Sequence, residues 1–137
     1  MLLTAHLITD PSIVCFQEAS PVSFDDDFAF MSDLGFDGKE MFKKGRFRPA
    51  TFWKSDACEL VAPAVHKDRT LLTAFRLLKK KKKQLDHDDK DNGSVHPYWY
   101  VLNCHLQAGK QAPRRVRQIN EGVRSVLTLA RKLKGKN

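Results

Sequence analysis

Apolar residues along the chain recur at two different spacings, and the change from one to the other marks where helices give way to strands. Residues 1–10, MLLTAHLITD, place Leu2, Leu3, Leu7 and Ile8 on a short helical stripe that Asp10 and Pro11 close. Residues 12–16, Ser-Ile-Val-Cys-Phe, are apolar or β-branched from Ile13 onward, the mark of a strand covered on both faces. That strand runs into Gln17-Glu18, so Glu18 falls at its C-terminal end. Residues 23–34 return to helical spacing, with Phe24, Phe28, Met31 and Leu34 on one side. Ser23 stands as the N-cap, and Asp25, Asp26 and Asp27 suit the positive end of the helix dipole.

Beyond Gly35 the apolar runs shorten. Segments 42–47, 50–54, 58–65 and 70–78 read as antiparallel strands, with Gly38 and Gly45 as punctuation. Residues 79–93, KKKKKQLDHDDKDNG, offer nothing to bury, and the charged stretch over about 79–96 reads as a solvated loop or flexible insertion. Residues 98–102, Tyr-Trp-Tyr-Val-Leu, have strand composition and end at Asn103-Cys104-His105. The last element is a helix: Val116, Ile119, Val123, Val126, Leu127, Ala130 and Leu133 recur at steps of three and four and define one apolar face, with Gly135 as a stop. Its other faces carry Arg114, Arg115, Arg117, Arg124, Arg131, Lys132 and Lys134.

A chain of 137 residues suffices for one domain, and no internal repeat or linker divides it. Lys and Arg number 24 against 16 Asp and Glu, a net charge of +8 that favours anionic partners such as nucleic acid or other phosphate esters. Cys15, Cys58 and Cys104 are odd in number and widely spaced, which argues for reduced thiols and against a disulfide framework or a structural zinc site. The N-terminus lacks a basic segment before its apolar residues, and no stretch reaches the roughly 18 apolar residues of a membrane span. A cytoplasmic or nuclear protein is the resulting expectation.

Several polar residues are candidates for chemistry. A carboxylate at the end of a buried strand, as at Glu18, is where α/β proteins gather ligands, although a solvated glutamate is the plain alternative. Asn103 and His105 alternate along one strand, so they share a side, and both can hydrogen-bond a phosphate oxygen; either could equally be a satisfied structural residue. Lys79 to Lys83 suit a nuclear-targeting or phosphate-tethering run or simply a solvated one. Asp86, Asp88 and Asn92 do not form a calcium loop, because Lys90 and Trp99 occupy ligand positions. The five histidines show no zinc-hydrolase spacing.

Taken in order, these segments resemble the endonuclease/exonuclease/phosphatase superfamily, the DNase I-like domains. Ile13-Val-Cys-Phe-Gln-Glu18 is similar to the family strand that ends in Gln-Glu, and Tyr100-Val-Leu-Asn-Cys-His-Leu106 to its Asn-Thr-His-Leu strand. Arg46 to Lys54 occupies the place of the paired aromatic strands between them, and Arg114 or Arg115 with Gln118 matches an Arg-x-x-Gln helix. The resemblance spans nearly the whole chain. It implies an α+β fold, part of a four-layer αββα sandwich of mixed or antiparallel sheets flanked by helices. It also implies a hydrolase of phosphate esters in which Glu18 is a metal ligand, for magnesium or in its place manganese, His105 contacts the scissile phosphate and Asn103 supports that strand.

The family pattern also calls for an Asn-bearing first strand, a Gly-Asp-x-Asn segment and a Ser-Asp-His segment. None of these occurs in the sequence. The expectation is therefore an incomplete domain, cut short at both ends, that is inactive alone and whose exposed sheet edge invites self-association. A noncatalytic basic module that binds nucleic acid or protein through the arginine-rich helix and the lysine run is the alternative. Trp53, Tyr98 and Trp99 could add base stacking to it, or be buried strand aromatics.

Overall fold

The structure, a computed structural model, describes residues 10–41, 47–78 and 98–135. The helix expected at 1–10, nearly all of the strand expected at 42–47 with Gly45, and the charged segment at 79–96 lie outside the described residues.

A first sheet runs β1–β3–β2, with β1 (Ile13–Ala19) and β2 (Gly38–Met41) each antiparallel to the central β3 (Arg48–Trp53). Residues 49–53 are buried without a break because both faces of β3 are covered. Ala50 and Phe52 point to one side, where Phe16, Phe24, Phe28 and Met31 gather around them. Thr51 and Trp53 point to the other.

That first side is roofed by α1 (Phe24–Asp27) and α2 (Phe30–Asp33), two single turns where one helix over 23–34 was expected. The continuous ladder gives way to bonds three residues apart, Ala29 N–H to Asp26 O and Met31 N–H to Phe28 O, as in 3₁₀ geometry. Phe24 and Phe28 are both held against Phe52, which fixes the first turn independently of the second. Ser23 does occupy the N-cap position, but its hydroxyl donates to the Asp27 carboxylate at 2.6 Å rather than capping a backbone N–H. The end of α2 is a Schellman closure: Phe36 N–H reaches Met31 O, Gly35 N–H reaches Ser32 O, and Gly35 takes φ +84°, where a side chain would be strained.

The second sheet is centred on β6 (Thr70–Leu77). Along one edge β6 pairs with β7 (Tyr98–Cys104); along the other it pairs with β4 (Cys58–Leu60) and then β5 (Val65–Lys67). The single strand expected over 58–65 is thus two, interrupted around Pro63, which has no N–H to give to the ladder; Val61 N–H to Ala74 O is the one bond retained between the pieces. Gly38, expected as punctuation, instead opens β2, because a Cβ there would lie 2.1 Å from the Trp53 ring.

The sheets meet through Trp53 on Phe75, ring centroids 5.2 Å apart, with Cys58, Ile13 and Val101 around them. Trp53 is therefore a core residue, whereas Trp99 is exposed. On the far face of the second sheet lies α3 (Ala112–Lys134), with Gly122 pressed against Leu102. Its contact stripe is only partly the one hydropathy predicts, since Leu133 is buried and Val126 and Ala130 half-buried as expected, but its N-terminal half is turned. Gln118, Gly122 and Leu133 are buried, while Val116, Val123 and Leu127 are 60%, 45% and 52% exposed. The helix is rotated toward Gln118 because that side chain is fixed by two internal hydrogen bonds. Two antiparallel sheets with packed helices make this an α+β fold.

Candidate functional site

Glu18 and His105, far apart in sequence, meet at one end of the two sheets, with Glu18 Oε1 3.2 Å from His105 Nε2. Each is aimed by its strand. The β1–β3 register slips between Phe16 and Ala19, so Gln17 and Glu18 oppose a single residue, and Glu18 takes φ +59°. A bulge of this kind re-aims a side chain at a strand end, and a non-glycine residue in the left-handed region costs of order 1 kcal/mol, held here by the flanking ladder. His105 follows the last β6–β7 pair, and its N–H donates to Arg69 O at 2.9 Å. The Glu18 carboxylate remains 69% exposed while the imidazole is 20% exposed, and His105 Nδ1 is buried with no hydrogen-bond partner among the described residues.

Asn103, two residues earlier on the same face of β7, is 4% exposed. Its amide donates to Phe16 O at 3.0 Å and Ala50 O at 2.9 Å, which ties β7 of one sheet to β1 and β3 of the other just below the Glu18 bulge. It positions the corner and does not line it. Cys104 alternates to the opposite face, and burial pushes its thiol above the ordinary value, so it is not a thiolate nucleophile beside the histidine.

Arg115 and Gln118 clamp the segment after His105. Gln118 is 2% exposed; its Oε1 accepts from Gln107 N–H at 3.0 Å, and Arg115 donates to Gly109 O at 2.6 Å. The Gln118 amide also donates to Asp68 Oδ2 at 2.6 Å, and Arg114 stands 3.8 Å from the same oxygen. Arg48 from β3 donates to Asp68 O at 2.5 Å. Sequence reading passed over Asp68. It sits with φ +42° in the two-residue β5–β6 turn, Asp68-Arg69, and an Asp in a short charged stretch just before the apolar run from Thr70 was the available signal.

The corner therefore brings a half-buried histidine and an open carboxylate to one end of the sheets, bordered by the Asp68 turn and the guanidinium groups of Arg48 and Arg114 that face it. As a metal site it is partial. Among the described residues no three His, Cys, Asp or Glu side chains cluster to hold an ion. Glu18 offers one carboxylate, which fits magnesium only as one member of a shell otherwise made of water and phosphate oxygens.

No protein-family model matches the sequence, and no curated protein matches it. Among the described residues no helix is long and apolar enough to cross a membrane.

Proposed function

We propose that the Glu18–His105 corner is the phosphate-binding part of a magnesium-dependent phosphoesterase site of the endonuclease/exonuclease/phosphatase type, and that the two sheets and their helices are part of that family's four-layer αββα sandwich. The observation that carries this reading is the meeting of Glu18 and His105 at 3.2 Å on the ends of facing sheets, with the strained Glu18 bulge aiming the carboxylate outward. His105 Nε2 donates to a phosphate oxygen in place of the Glu18 carboxylate it faces in the free protein, Glu18 is thereby released to offer an oxygen to a cation, and Asn103 keeps the two strand ends in register. Magnesium, or manganese in its place, supplies charge neutralisation on the phosphate when bound. The water-orienting Gly-Asp-x-Asn and Ser-Asp-His segments are absent from the sequence, so this chain alone binds phosphate esters with little or no turnover. Cytoplasmic or nuclear nucleic acids and nucleotides are the natural ligands of such a site.

Calorimetric titration of the full chain with a nucleoside monophosphate and magnesium tests it. Glu18→Gln and His105→Ala should each weaken binding about tenfold, the scale of one charge-assisted contact. Affinity unchanged from the parent chain in both variants would refute the assignment. The noncatalytic basic module is supported separately by the exposed arginines of α3, and affinity that ignores magnesium and Glu18 but falls with salt would favour it. Self-association belongs to the same proposal: β7 has no second neighbour among the described residues, and α3 carries exposed Val116, Val123 and Leu127.

A further inference from the structure

A groove of about 560 Å³ runs between β5 and α3, on the flank of the second sheet away from its interface with the first. Its floor is apolar, Val65 and Leu129, and its walls carry Lys67, Arg124 and Lys132 against the single carboxylate of Glu121. None of these three cations is engaged in an ion pair among the described residues, and all three are exposed. Arg124 and Lys132 are two turns apart, about 12 Å along the helix. The basic row continues beyond the groove. Arg117 and Arg114 lie four and seven residues before Glu121, hence on the same helix flank, and Arg114 is the residue that stands 3.8 Å from Asp68. Lys67 in turn immediately precedes Asp68. The groove thus opens at the turn that borders the Glu18–His105 corner and leads away from it along a row of cations interrupted only by Glu121.

We infer that this groove holds the sugar-phosphate backbone of a single-stranded nucleic acid whose terminal or scissile phosphate sits at the corner. The chain's ligand is then a polynucleotide rather than a lone nucleotide or a lipid headgroup. Cations separated by helical turns over an apolar floor suit a strand that presents one phosphate per nucleotide with base and sugar between. A compact headgroup would leave Lys132, two turns along, without a partner. The path rests on the phosphate-ester reading of the corner, but the groove's own contacts are measured independently of it.

The experiment is fluorescence anisotropy of a labelled 12-nucleotide single strand with the full chain in magnesium-free buffer, titrated at several salt concentrations. Three phosphate contacts give a slope of log K against log salt of about −2, and each contact contributes about fourfold at 0.15 M salt. Arg124→Ser and Lys132→Ser should each weaken binding about fourfold and reduce the slope by about 0.7. Lys134→Ser, the same charge change on another flank of α3, should alter affinity less than twofold. Equal losses at positions 124, 132 and 134 would mean a diffuse field and overturn the groove, as would displacement of the strand by polyglutamate at matched charge concentration. If Glu18 and His105 govern nucleotide binding while groove variants leave the strand's affinity unaltered, the groove fails and the corner stands; the converse removes the corner and keeps the groove.

Discussion

Removing the Asn103 amide should loosen the contact between the two sheets more than any other single polar change in the described core. The amide makes two hydrogen bonds, a part-buried one to Phe16 O and a buried one to Ala50 O, one from each of its N–H groups. Each is worth about 1 kcal/mol net, and a carbonyl left buried without that donor adds a desolvation cost of similar size. Asn103→Ala should therefore lose about 2–4 kcal/mol, a large part of the roughly 5–15 kcal/mol typical of a domain, and lower Tm by roughly 8–15 °C. Asn103→Asp sharpens the argument, since it replaces both donors by a carboxylate facing two carbonyl oxygens. Burial and those oxygens raise the new carboxyl above its unfolded pKa of about 3.9. A carboxyl raised in the folded state destabilises increasingly as pH climbs above the unfolded pKa, so the aspartate variant should resemble the alanine variant near pH 4 and fall below it at pH 7. Urea unfolding followed through Trp53, which lies against Phe75 between the sheets, reads the effect directly. An alanine variant within about 0.5 kcal/mol of the parent, the ordinary range of a surface substitution, would refute the bridge, and so would an aspartate variant equal to alanine at neutral pH.

Gly38→Ala should cost about 1–3 kcal/mol by urea midpoint and red-shift Trp53 emission, because the added Cβ would meet a ring that Phe75 and the sheet hold in place; an unshifted spectrum with an unchanged midpoint contradicts this packing. Gly122→Leu should pry α3 from Leu102 and cost about 2–3 kcal/mol, since even a Cβ lies 2.9 Å from the Leu102 side chain. The Asp37 carboxyl is held below the usual aspartate value by the Ser55 N–H at 2.8 Å. Its contribution is present above the unfolded pKa and lost as pH falls through the lowered one, so an NMR titration should place its midpoint below about 3.9, and a midpoint at or above that value removes the interaction. Leu127→Lys should lower the weight-average mass in sedimentation at high protein concentration, and identical masses would show that the α3 stripe is not a self-association surface.

Period and composition were enough to find β1, β6, β7 and α3, although of these strands only β6 is buried on both faces; β1, expected to be covered on both, is an edge strand among the described residues and leaves Cys15 exposed. The same signals placed Glu18 and His105 at strand ends, where side chains leave the ladder. They could not show that these ends converge, since that depends on two sheets stacking through Trp53 and Phe75, contacts between segments with no local relation. Local pattern also missed the breaks: the 23–34 periodicity hid two separate turns, the first held on Phe52 through Phe24 and Phe28, and the 58–65 run hid the interruption around Pro63. The rotation of α3 lay furthest from the sequence. Hydropathy selects the stripe through Val116, Val123 and Leu127, whereas the fold buries Gln118, whose amide satisfies Gln107 N–H and Asp68 together and so makes a polar residue the better one to hide. Asp68 became part of the corner by that same bond. The sequence by itself determined which segments could be strands and helices and which charges they would carry; the tertiary structure decided which of those charges share a site, because burying a polar side chain is favourable only where distant partners arrive to meet it.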